Sequence, residues 1–288
     1  MSELDLNLCL SEVDGEFQYE LIDDTSGWSF PSVSSPLFFD TETKPHTLEV
    51  LQSIVEYKPK EKKRPGEFDP SSVKYGNTKD PAKREAKLEE AKKRHALSVR
   101  EFERNQDNAE SEFWESVLDA AALDATRSSV LTIQLGTADL SDPVWILHGD
   151  EQWVLSTFWD AAERTYRAGH PVIGYNCWEF DIPYICRRSV INDIGIPGWV
   201  FSGGKINSAF YDVMFAWKFG QWRAMVSLAE LGAAMGVGRK QKLEVSGKFV
   251  HELWASGRRD EAIEYMVTDI VDMRLVAQKL SLVNLISY

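Results

Sequence analysis

The sequence predicts an α/β fold built on one mixed, five-stranded sheet with helices on its faces. Two patterns lead there. Short apolar runs of strand character stand at 37–42, 130–136, 144–148, 171–175 and 209–215. From residue 151 onward they alternate with stretches of helical periodicity. A third feature sets the layout: a long charged interval separates the first run from the rest and reads as an insertion.

The elements follow in order. Residues 1–35 hold eight acids, many serines and few large apolar residues, so they are expected to form an acidic arm or edge hairpin outside the core. Leu37-Phe38-Phe39-Asp40-Thr41-Glu42 follows Pro36 and reads as a buried strand ending in acids. The insertion spans about 44–128. It opens with a Lys-, Pro- and Gly-rich part and continues as a helix with Asp80 at its N-cap and Pro81 at N1, running to about Arg104. Its apolar content is sparse (Ala82, Ala86, Leu97, Phe102), so the helix is expected to be mostly exposed. Val130 to Gly136 alternates as a strand, and Val144 to His148 follows the Ser141-Asp142-Pro143 turn as another. Glu151 to Ala168 is an amphipathic helix carrying Trp153, Leu155, Phe158, Ala161 and Tyr166 inward. Pro171 to Tyr175 is a short buried strand, and Trp178 to Asn192 is helical with Pro183 tolerated in its first turns. Ala209 to Phe215 is a strand candidate with helix as the alternative. Ser227 to Met235 is a helix closed by Gly236, and Phe249–Ala255 and Asp260–Ser281 are two more.

Composition narrows the function classes. The chain has 288 residues, 43% hydrophobic and 27% charged, which supports a real core. No stretch approaches the roughly 20 apolar residues of a membrane span, and no membrane role is expected. The arm lacks basic residues, so no signal or transit peptide is expected. Three scattered cysteines (Cys9, Cys177, Cys186) argue against a disulfide framework or a zinc site and for a reducing, cytoplasmic setting. The net charge is −13, yet residues 58–104 hold 15 Lys and Arg against 9 Asp and Glu. That local excess suits a phosphate backbone; it also suits a solvated helix laced with i,i+4 pairs.

Three short patterns carry chemistry. Asp40 and Glu42 are two apart on a strand, so both carboxylates share a face. Adjacent like charges make sense there if a cation lies between them. Asn176-Cys177-Trp178-Glu179-Phe180-Asp181-Ile182-Pro183-Tyr184 follows a buried strand and places Asp181 in the first helical turn among apolar neighbours. Complementing the helix dipole is its plain alternative role. Tyr265 and Asp269 are i,i+4 in the last helix and share a face. Asp272 is the rival acid there, and packing is the plain alternative for Tyr265.

In order, these patterns resemble the three exonuclease motifs of the DEDD superfamily of 3′–5′ exonucleases, in its tyrosine-containing branch. The chain is most similar to the predicted bacterial and phage exonucleases related to the proofreading domain of family B DNA polymerases. Phe68-Asp69-Pro70 through Lys79-Asp80-Pro81, Ser227-Leu228-Ala229-Glu230-Leu231, and Glu252-Leu253-Trp254 through Asp269 share that likeness. It covers about 36–283 and leaves out the arm.

The resemblance implies a ribonuclease H-like sheet in a domain spanning 36–288. It implies that Asp40, Glu42, Asp181 and Asp269 hold two divalent cations, Mg²⁺ or Mn²⁺, and that Tyr265 orients the attacking water. Hard carboxylate oxygens suit those ions. Asn176 and Phe180 are candidates to contact the terminal nucleotide, Phe180 also as core, and Thr43 is a candidate to meet the 3′ end through its backbone. The implied activity is hydrolysis of phosphodiester bonds at the 3′ end of DNA, with single strands as the expected substrate, in the cytoplasm of a bacterial or phage-infected cell and alongside a replication or polymerase partner. The alternatives are an RNA-processing exoribonuclease of the same fold, a non-catalytic nucleic-acid-binding replication accessory, and a small-molecule phosphatase.

Overall fold

The computed structural model describes residues 18–31, 34–58, 63–201, 209–221, 223–237 and 247–281. The chain divides into two compact units, 46–121 and the remainder.

The larger unit is built on six strands: β1 Tyr19–Ile22, β2 Leu37–Pro45, β3 Ser128–Gly136, β4 Val144–His148, β5 Val172–Gly174 and β6 Phe210–Asp212. Their order across the sheet is β1-β4-β3-β2-β5-β6. β2 runs antiparallel to β3, and β3 to β4. β5 and β6 are parallel to β2. Without β1 this is the ribonuclease H-like arrangement, and the sheet is flanked by helices as expected.

The expected five strands become six. The added strand comes from the arm, where Tyr19–Ile22 pairs in parallel with Val144–Leu147. Its side chains read exposed, exposed, exposed, buried. That pattern has little amphipathic signal, because backbone pairing to an open sheet edge needs none. Ile22 and Phe30 nevertheless enter the core, and Phe30 packs edge-on against Trp145 at 5.6 Å.

Two helical layers cover the sheet. α3 (Glu151–Arg167) and α4 (Asp181–Ile191) pack on one face against Leu37, Phe39, Ile133, Leu135 and Leu147. The other face carries Phe38, Leu131, Ile146 and Ile173. Against these lie α6 (Leu228–Met235), α7 (Val250–Ala255) and α8 (Arg259–Ser281). Burying each large aliphatic of α8 contributes about 1.5–3 kcal/mol, so this helix is fixed firmly on the sheet. All nine residues of β3 are buried, because both faces are covered.

Three local expectations change. The 209–215 run is a three-residue strand that turns at once into α5 (Val213–Trp217), with Asp212 as N-cap accepting from Phe215 N at 3.0 Å. Both expected alternatives were half right, since the cap splits the run. α4 starts at Asp181 rather than at 178, because residues 176–180 form a tight turn. β2 extends past the acids to Pro45.

Among its described residues the smaller unit has α1 (Leu48–Ile54), a 3₁₀ turn at Pro70–Ser72, and α2 (Pro81–Ala121). α2 is longer than the expected stretch ending near Arg104. Its final turns carry Trp114, Val117 and Ala121, which bury Leu51 of α1. That small core justifies a helix which the preceding charged residues alone would not.

Candidate active site

β2 sits at the middle of the sheet and turns its even residues toward α8. Phe38 lies in that layer, and Asp40 and Glu42 follow it on the same face. Between Glu42 and Thr43 the β2–β3 register shifts: Glu42 pairs with Thr132 and Thr43 with Val130. Leu131 is the extra residue of this bulge and packs on the α8 side.

α8 supplies the third carboxylate. Oxygen atoms of Asp40, Glu42 and Asp269 all lie within 4.8 Å of one another. Tyr265, one turn before Asp269, donates its hydroxyl proton to the Asp269 carboxylate. Asp272 is buried and stands beside Asp269, but it is not part of the three-acid cluster.

Asp181 approaches from the end of β5. It opens α4, is buried, and acts electrostatically on Glu42 while feeling Asp40. The turn that carries it depends on Asn176, expected above as a substrate contact, and on Asp212, which sequence reading passed over. Asn176 takes a left-handed conformation at φ 55°. Asp212, buried at the end of β6, accepts from Asn176 N at 3.0 Å and from Trp178 N at 3.1 Å, besides capping α5. Gly174 permits the turn, since a Cβ there would stand 2.5 Å from Cys177 Cβ. An acid closing a short apolar run before Val-Met-Phe is an N-cap signature, and Asp212 was findable on that signal.

The electrostatics are those of a crowded acid pocket. Burial pushes the Asp40 carboxyl up to about 6. Glu42 is driven well above its usual range by burial and then by Asp40, Asp269 and Asp181. Asp181 and Asp269 are raised by burial and then by Asp40. Tyr265 is raised by burial and by the same acids, so its phenol stays protonated. The donor set consists of hard oxygens whose charged forms are disfavoured by burial and by each other. It therefore fits hard divalent cations, which would remove both penalties.

The remaining candidates are distributed around this pocket. Thr43 donates its hydroxyl to Ala122 O at 2.7 Å, which leaves its side chain in a structural role. Asn176 Oδ1 is buried with no hydrogen-bond partner among the described residues, a condition that an incoming donor would relieve. Phe180 is half-buried and packs on Tyr184 with ring centroids 5.4 Å apart. Gly247, in the 3₁₀ turn Gly247–Phe249 before α7, was not expected here. A Cβ on it would meet Tyr265 Oη at 3.3 Å and both Glu42 oxygens at 3.9 Å. No sequence signal marks that close approach.

The fold and the acid cluster define an α/β protein with a carboxylate site for hard cations on one face of its sheet. Residues 132–284 match the family described as "Predicted 3'-5' exonuclease related to the exonuclease domain of PolB", and the chain belongs to that family. No curated protein matches it. Among solved structures it is similar to the family B DNA polymerase from the hyperthermophilic archaeon Pyrobaculum calidifontis, at 20% identity and a TM-score of 0.45. That match covers 55% of this chain and 22% of the polymerase, so the chain spans about a fifth of that protein's length. Among the described residues no helix is long and apolar enough to cross a membrane.

Proposed function

We propose that the chain is a metal-dependent 3′–5′ exonuclease that hydrolyses the terminal phosphodiester bond of single-stranded DNA. The observation that carries this is the convergence of Asp40, Glu42 and Asp269 within 4.8 Å, in a chain of this family. Asp40, Glu42, Asp181 and Asp269 would hold two cations, Mg²⁺ or Mn²⁺. When bound, such ions lower the pKa of an attacking water and stabilise the leaving oxygen of an in-line displacement.

The chain's own groups do the rest. Tyr265, neutral and already donating to Asp269, keeps its oxygen lone pairs free to accept from a water and fix its direction. It is an orienting group and not a base. Water oxygen bonds to phosphorus and the P–O3′ bond breaks. The products are a nucleoside 5′-monophosphate and a chain shortened by one, with a new 3′ hydroxyl. Asn176 and Phe180, beside Asp181, are placed in contact with the terminal nucleotide in this reading, and the Thr43 backbone in contact with its 3′ end.

The test is digestion of 3′- and 5′-labelled single strands, DNA beside RNA, with Mn²⁺ and with EDTA. The expected result is stepwise loss from the 3′ end of DNA that EDTA abolishes. Asp40→Ala and Asp181→Ala should each lose roughly a thousandfold or more in rate while keeping a native circular dichroism spectrum. Full activity in either purified variant removes the assignment; preferential digestion of RNA transfers it to the exoribonuclease alternative.

A further inference from the structure

A cavity of about 460 Å³ opens on the same sheet face as the acid cluster. Its position follows from the elements that line it. Lys44 is two residues beyond Glu42 and on the same side of β2. Leu131 is the bulge residue beside Glu42. His251 and Trp254 lie on α7, which begins just after the turn that brings Gly247 against Tyr265 and Glu42. Arg259 opens α8, six residues before Tyr265, or about 9 Å along the helix. That distance is on the order of one nucleotide step.

The chemistry of the walls is unlike that of the chain as a whole. On a molecule of net charge −13, the cavity is lined by Lys44, Arg259, His148 and His251, with no Asp or Glu among its lining residues. Trp254 is half-buried, with the Arg259 guanidinium 5.0 Å from its ring centroid and the His148 ring at 5.7 Å. Lys44 and Arg259 are exposed. Asp23 and Asp24 act on His148 from the arm side, and Asp23 accepts from both Thr25 N and Thr25 Oγ1. Both border the cavity at Gly149, where a Cβ would stand 3.6 Å from Asp24 Oδ1 and 3.9 Å from Asp23 Cβ, while Lys44 and Arg259 are the Lys and Arg of its lining. A cationic groove with an aromatic platform is what binding of a single nucleic-acid strand requires: phosphate to the cations, base to the ring.

We propose that this cavity is a subsite for the nucleotide next to the scissile linkage, with Lys44 and Arg259 on its phosphate and Trp254 stacking its base. The proposal rests on the nuclease reading above for the identity of the strand, but it predicts binding independently of turnover. The measurement uses the full chain. Fluorescein-labelled ten-residue oligothymidylate is titrated in EDTA at several salt concentrations. Hydrolysis with Mn²⁺ is then compared on the same oligonucleotide and on thymidine 5′-(p-nitrophenyl phosphate), which is too small to fill both sites.

Arg259→Ala combined with Lys44→Ala should weaken oligonucleotide binding about tenfold and reduce the slope of log K against log salt by roughly one to two. Trp254→Ala should weaken it by about five- to a hundredfold, with Trp254→Phe restoring part of the loss. The ratio of kcat/KM on the oligonucleotide to that on the small ester should fall about tenfold in both cases. Unchanged affinity and slope would overturn the subsite, and so would equal losses on the two substrates, which mark a general disturbance. Thymidine 5′-monophosphate competing as tightly as the oligonucleotide, and losing affinity equally in the variants, would make this a free-nucleotide site and overturn the strand assignment. A parent protein that binds through Arg259 and Trp254 yet cleaves neither substrate would support the binding site and sink the nuclease reading instead.

Discussion

Tyr265 is the residue whose role the surroundings define most narrowly. Burial and three nearby acids keep its phenol protonated, and its proton is committed to Asp269. Removing the hydroxyl removes an orienting hydrogen bond but no charge. Tyr265→Phe should therefore lower kcat by about ten- to a hundredfold and leave oligonucleotide affinity within about twofold. An unchanged rate would reduce Tyr265 to packing. Asp212 is the opposite case: it touches no reacting atom in the proposed chemistry, yet it anchors three backbone N–H groups at about 3 Å. Asp212→Ala leaves those donors unpaired. It should cost about 3 kcal/mol in urea unfolding and slow turnover by loosening the turn before Asp181. A stability within 0.5 kcal/mol of the parent, roughly the range of a neutral surface change, would contradict this anchoring role.

At the scale of elements, the 41-residue helix α2 holds the ambiguity that its charge suggested from the start. Two of its cations are already paired along the helix, Lys92 with Glu89 at 2.8 Å and Arg94 with Glu90, and its Glu103 pairs with Arg64 from the preceding segment at 2.7 Å. Such exposed pairs are worth little to stability and do not neutralise the field of the segment. Reversing Lys92, Lys93 and Arg94 to Glu is the direct test. If α2 meets the phosphate backbone, binding should weaken about tenfold and the salt slope should flatten by about two to three. Equal slopes for variant and parent would return the helix to the solvated-face reading.

The α3–α4 pair shows how an element can be placed by buried charge. Arg188 meets Glu151 through two bonds, Nε–Oε1 at 2.8 Å and Nη2–Oε2 at 2.6 Å, and gives a third to Ala125 O at 2.8 Å. Glu151 also accepts from Val130 N at 2.7 Å. The bidentate geometry ties α4 to β3 and so sets the direction from which Asp181 enters the pocket.

For the whole molecule, the acid cluster links stability to pH and metal. Asp40 titrates near 6 in the folded state and near 3.9 when unfolded. A raised folded value means that the folded form holds the extra proton between those limits. Its stabilisation is present below about pH 4 and is lost as pH rises through 6. Glu42, Asp181 and Asp269 shift in the same direction. In EDTA, Asp40→Asn should therefore melt above the parent at pH 8 by roughly 3 °C or more, with the gap closing at pH 4. Mn²⁺ should raise the parent's Tm at pH 8 and the variant's much less. A gap that is the same at both pH values would contradict the cluster's desolvation.

Much of this was legible in the linear chain because strand and helix periodicities are local. β3, β4, α3, α6 and α8 stand close to their expected places, and the i,i+2 and i,i+4 rules put Asp40 beside Glu42 and Tyr265 beside Asp269. The edge-hairpin alternative for the arm came near β1 but placed neither its strand at 19–22 nor its parallel pairing, because edge pairing uses backbone groups that every residue carries. The end of α2 was missed because Trp114, Val117 and Ala121 gain their reason only from Leu51 across the unit.

By itself, then, the sequence determined which side chains bear the chemistry, in what order and on which kinds of element, since those depend on neighbours a few residues apart. Only the tertiary structure decided that Asp40, Glu42 and Asp269 come within 4.8 Å, that Asp212 holds the Asp181 turn, and that Gly247 closes against Tyr265. It likewise decided that Lys44, Trp254 and Arg259 share a cavity. The physical reason is that burial, charge repulsion and close approach are properties of atoms brought together from distant parts of the chain, and local periodicity carries no record of them.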